Sequence, residues 1–153
     1  MSMYAQFETD PDLEKNGVWI DYGDFRVLLG RAGGANKKYL KYAEEKSKPF
    51  RRAIAAGVMP EKRSKELLFD IYAKTIIMAW EVSVGTDDET GDTIWKSGIH
   101  MPNGDIGEAS YDNFMMTFRK LPDVFFDLQK MAEQLSLFRR EELEEEAKNS
   151  LES

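Results

Sequence analysis

Apolar and polar positions recur at different periods along this chain, and each change of period marks an element. Met1 to Asn16 is polar and broken by Asp10-Pro11, which reads as a loosely held arm. The runs Val18-Trp19-Ile20-Asp21-Tyr22 and Phe25-Arg26-Val27-Leu28-Leu29 are rich in β-branched and aromatic residues. Gly23-Asp24 between them can reach the positive φ of a tight turn, so the pair predicts a β-hairpin. Gly30-Arg31-Ala32-Gly33-Gly34 ends the pattern, and Asn36 is placed to cap a helix with a stripe of Tyr39, Leu40 and Ala43. Pro49 should break that helix at Lys48, with a restart at Phe50 and a stop at Gly57.

Pro60 can open the next helix, and Glu61 to Val82 contains neither Gly nor Pro. Leu67, Leu68, Ile71, Tyr72, Thr75, Met78, Ala79 and Val82 recur at three- and four-residue steps, widened by Ile76, Ile77 and Trp80, which predicts one long core helix. Val84 to Glu108 reads as a long loop, with room for a second small hairpin built from Thr93-Ile94-Trp95 and Gly98-Ile99-His100-Met101. Asp112 is placed to cap a short helix through Phe118, and Leu121-Pro122-Asp123 ends it and starts the last one. There Leu121, Val124, Leu128, Met131, Leu135 and Phe138 form a helix-packing seam. Residues 139–153 are a charged extension. The expected architecture is one domain, 1–153, mainly α: a helical bundle with an N-terminal β-hairpin.

At 153 residues a folded chain buries roughly 68–70% of its unfolded surface, enough for a core without staples. Nothing in the apolar pattern approaches the ~20 residues of a membrane span, and the acidic N-terminus lacks a secretory pattern. A soluble, unexported protein with no membrane partner is expected. The net charge of -7 conceals a segregation. Gly30 to Glu66 holds eleven Lys or Arg against four acids, Glu81 to Asn113 eight acids against Lys96, and Asp123 to the end nine acids against four bases. Such surfaces can pair within the fold, pair between copies, or draw a charged partner.

Candidate chemistry is sparse. There is no cysteine and one histidine, His100, which stands in a Gly-rich loop with no serine nucleophile motif beside it. Asp87-Asp88-Glu89-Thr90-Gly91-Asp92 suggests calcium, but the sixth position is Asp92 rather than Gly and the twelfth is Gly98 rather than Glu. Gly30 to Gly34 lies between a strand and a helix as a phosphate loop would, yet its spacing matches neither the dinucleotide nor the Walker pattern. Catalysis, metal and cofactors are therefore not expected. The lysines and arginines from Lys37 to Lys65 could line phosphates, but a sequence pI near 4.9 argues against nucleic acid. Trp19, Trp80, Trp95 and the eight methionines could form an interaction groove, and Trp95, in a polar loop, is the hardest of them to place in a core.

The order of certain residues resembles a family. Trp19, Tyr22 and Phe25 in a hairpin are followed by Arg31 and Asn36, then Lys48-Pro49-Phe50-Arg51-Arg52, Tyr72-Ala73 and Trp80. Leu121-Pro122-Asp123 with Phe125, and Phe138-Arg139-Glu141 before Lys148-Asn149-Ser150, complete the set. From Gly17 to Ser150 the chain resembles tail assembly chaperones of long-tailed, siphovirus-like bacteriophages, although its 84–108 loop is long for that family. The resemblance implies a non-enzymatic assembly factor in the cytoplasm of the infected bacterial host, not retained in the mature virion. It implies coating of the tape measure protein to keep it soluble and recruitment of tail tube protein. A phage virion or neck component, or a nucleic-acid-binding regulator, are the other readings. Partner contact is expected at Lys48, Phe50, Arg51, Arg52, Trp95, Val124, Leu128, Met131, Leu135 and Phe138, with self-association where the basic segment of one copy meets the acidic extension of another.

Overall fold

The computed structural model describes residues 2–139. Its centre is a four-stranded antiparallel sheet, order β1-β2-β3-β4, formed by Val18–Asp21, Phe25–Leu29, Ile77–Thr86 and Thr93–Ser97. The expected hairpin is present as β1 and β2, with Asp21 opposite Arg26 and Gly23 at φ 90° in the turn. The mainly α helical bundle is not: the hairpin is one edge of a larger sheet, and helices pack against that sheet.

The correction originates at one junction. The helix from Glu61 stops at Thr75 (α5, Glu61–Thr75), and Ile77 begins β3. Thr75, Ile76 and Ile77 are consecutive β-branched residues whose χ1 stiffness favours extended backbone. The Thr75 hydroxyl turns back to the Ile71 carbonyl at 2.7 Å, and Ile77, Trp80 and Val82 become the buried positions of the strand. The 84–108 segment is corrected with it. Thr93–Ser97 pairs with β3 across a turn, and a separate two-stranded ribbon joins β5 (Ile99–His100) to β6 (Ile106–Gly107). The strand-forming residues had been expected, but paired with each other.

The N-terminal arm is also structured. Ser2 and Asp10 cap α1 (Met3–Phe7) and α2 (Pro11–Asn16) through their side chains, and the Asp10 amide donates to the Phe138 carbonyl at 2.7 Å. Asn36 caps α3 (Lys37–Ser47) as expected, and Pro49 sits in a 3-10 turn, Lys48–Phe50, before α4 (Arg51–Ala55). Ser110, not Asp112, caps α6 (Tyr111–Lys120). The last helix, α7 (Pro122–Glu133), ends at Gln134, and Leu135–Phe138 is a 3-10 turn. Its buried stripe is Phe125, Leu128 and Ala132, so the continuous seam through Phe138 is corrected; Leu121 is exposed. Residues 140–153 of the charged extension lie outside the described residues.

One core joins the layers. Phe125 meets Phe69, Tyr72 and Phe118 at centroid distances of 4.7, 5.1 and 5.3 Å, and Trp80 stacks between Phe25 and Phe114 at 5.6 and 5.7 Å. Aromatic pairs in such geometry contribute about 0.5–1.5 kcal/mol each beyond their area. Among the described residues no helix is long and apolar enough to cross a membrane.

Candidate functional site

The basic segment borders the core, which its Tyr39 meets edge-on at Tyr72, 6.3 Å between ring centroids. Neither α3 nor α4 has a fully buried residue. Lys48, Arg51 and Arg52 are exposed, while Phe50 is half-buried under the Arg63 guanidinium, 5.6 Å from its ring. Ile54 (48% exposed) and Val58 (70%) lie in the same segment. Cations and uncovered aliphatic side chains thus occur together in one exposed segment.

Trp95 lies elsewhere, on the outer face of the sheet. The Arg26 guanidinium is held between the Trp19 and Trp95 rings, 4.2 and 4.7 Å from their centroids, and is ion-paired to Glu81 at 2.6 Å. Strand register builds this clamp, since Arg26 opposes Glu81 and Trp95 opposes Ser83 two residues along. Trp95 is therefore occupied by a neighbour in its own sheet. Of the expected seam residues, Leu128 and Phe138 are fully covered within the chain, Val124 and Met131 are half-buried, and Leu135 opens the 3-10 turn. The ten expected contact residues do not form one surface: Lys48 to Arg52 make one group, Trp95 another, and the seam residues belong largely to the core.

The glycine loop already holds an anion, supplied by its own chain. Glu14 is buried, ion-paired to Arg31, and accepts from the Ala35 amide at 3.3 Å. A Cβ on Gly34 would fall 2.0 Å from Glu14 Oε2, so the glycine is what admits the carboxylate. The acidic loop is a hairpin turn. Asp87 accepts from the amides of Glu89 and Thr90 at 2.8 and 3.1 Å, and the backbone bonds from Thr90 and then Glu89 hold its carboxyl below the usual range.

Two tyrosine–carboxylate links tie elements together. Tyr42 and Tyr111 both donate to Asp70 Oδ1, at 3.0 and 2.6 Å, joining α3 and α6 to α5. Desolvation, then the bond to Asp70, pushes the Tyr42 phenol up to about 12 and raises Tyr111 further. Tyr22 donates to Asp127 and is raised for the same reasons, burial first. These phenols stay protonated donors through neutral pH, which suits joints rather than acid–base chemistry.

A cleft of about 460 Å³ was not foreseen from the sequence. Lys62, Lys65, Glu66, Phe69, Arg119 and Pro122 line it where the first half of α5 meets the junction of α6 and α7. Only the excess of cations between Gly30 and Glu66 pointed toward it. Compared with protein-family models, curated proteins and solved structures, the chain matches none.

Proposed function

We propose that this chain is a tail assembly chaperone of a long-tailed bacteriophage, acting without catalysis or cofactor in the cytoplasm of the infected host. It binds the tape measure protein, keeps it soluble, associates with further copies of itself and recruits tail tube subunits. The reading rests on the residue order from Trp19 to Ser150. One observation of the fold carries it: Arg51, Arg52 and Ile54 of α4, a helix that buries nothing fully, and Val58 just past its end are all open to solvent. An elongated amphipathic helix presents apolar anchors at three- and four-residue steps, with acids beside them, and suits such a surface.

The test is coexpression with a tape measure fragment. The parent keeps the fragment in the soluble fraction, and Arg51→Glu with Arg52→Glu loses at least tenfold of that solubilisation with an unchanged circular dichroism spectrum. Equal solubilisation by the reversed variant would remove the basic segment from the contact. Salt-dependent DNA binding by the parent, lost in the variant, would favour the regulator reading instead.

A further inference from the structure

The cleft under α5 is electropositive with an apolar floor. Lys62, Lys65 and Arg119 line it with one acid, Glu66, which is committed to Arg119 by contacts at 2.7 to 3.0 Å, while Lys65 also meets the exposed Glu61 carboxylate at 3.3 Å outside the lining. Phe69 is buried beneath them and Pro122 closes one side. The occupant such a cleft suits is an extended acidic segment with one apolar residue. The chain contains that segment: Glu141-Glu142-Leu143-Glu144-Glu145-Glu146, five carboxylates around a single leucine.

We propose that the cleft holds residues 141–146 of a second copy of this chain. Geometry selects the second copy. The cleft sits at the N-terminal end of α7, beside Pro122, whereas the chain continues past the opposite end of that helix. There the Asp10 amide bonds the Phe138 carbonyl and Arg139 donates to the Gln6 carbonyl. The twelve residues of α7 span about 18 Å. Glu141 and Glu142 are two and three residues beyond Arg139, a reach of about 7–10 Å when fully stretched. A chain's own tail can bring only its later acids to its own cleft, while a neighbour's tail can bring all five. A donor end and an acceptor end on opposite sides of one molecule make a heterologous contact, which grows head to tail. The proposal concerns the chain alone and stands whether or not the helical partner is a tape measure protein.

Sedimentation velocity of the full chain at about 50 mM salt tests it. The parent is expected to grow beyond dimers with concentration. Lys62→Glu with Lys65→Glu removes the acceptor, and Glu144→Lys with Glu145→Lys and Glu146→Lys removes the donor, so each variant alone runs as a monomer. Mixed, they grow again, because each reversed end meets its complement on the other variant, and both reversals in one chain restore growth as well. A parent that is monomeric at every concentration, or that stops at a dimer, overturns the proposal, as does a cleft variant that sediments like the parent. Should the cleft variant misfold by circular dichroism, the tail variant, which changes no described residue, decides alone.

Discussion

At the scale of single residues, Gly34 shows how a backbone position and a distant side chain specify each other. Its φ is 53°, and the carboxylate of Glu14 fills the space a methyl group would take. Gly34→Ala therefore costs about 1–2 kcal/mol for the left-handed conformation, plus the displacement of a buried, ion-paired acid. At about 2–4 °C per kcal/mol for a chain of this size, melting should fall by several degrees. Glu14→Ala destabilises by itself, because Arg31 loses its partner. In the double variant the clash is gone, so the two losses should sum to more than the measured total. Strict additivity in thermal melts would show that the carboxylate is not what the glycine accommodates.

At the scale of elements, Trp80 joins the sheet to the helices, stacked between Phe25 of β2 and Phe114 of α6. Trp80→Ala should cost about 3–5 kcal/mol by calorimetry; a loss under about 1 kcal/mol would mean that sheet and helices do not share a core. The same residue shows why the sequence misled. Ile76, Ile77, Trp80 and Val82 satisfy a helical stripe, the strand buries Ile77 along with Trp80 and Val82 only through a register shift opposite Leu28 and Leu29, and no Gly or Pro marks the junction after Thr75. What decides is the open edge of β2, which takes β3 as its partner, and that is a non-local fact. The β1–β2 hairpin was legible because its turn residues and alternation are local. The arm was misread because its anchors are Glu14 and a backbone bond to Phe138, neither of which is an apolar pattern. Sites divide in the same way. The Lys48 to Arg52 cluster is contiguous and could be seen in the chain, whereas the Arg26 clamp needs four paired strands and the cleft needs Arg119 beside Glu66.

At the scale of the whole molecule, the segregated charge and the uncovered aliphatic residues assign different physics to the two proposed contacts. The tail–cleft contact is chiefly five carboxylates against Lys62, Lys65 and Arg119, largely at the surface, where ions screen it. Raising salt to about 0.5 M shortens the Debye length severalfold relative to a dilute buffer, so the chain should sediment as a monomer there. The contact at α4 combines Arg51 and Arg52 with Ile54 and Val58, and burial of apolar surface is not screened by salt. Its charge component weakens in 0.5 M salt while its apolar component persists. A tape measure fragment should therefore remain bound after the copies have separated, as smaller complexes retained in the same pull-down. Parallel loss of growth and of fragment binding along one salt titration would mean that a single charge-driven surface serves both, and that Ile54 and Val58 take no part in it.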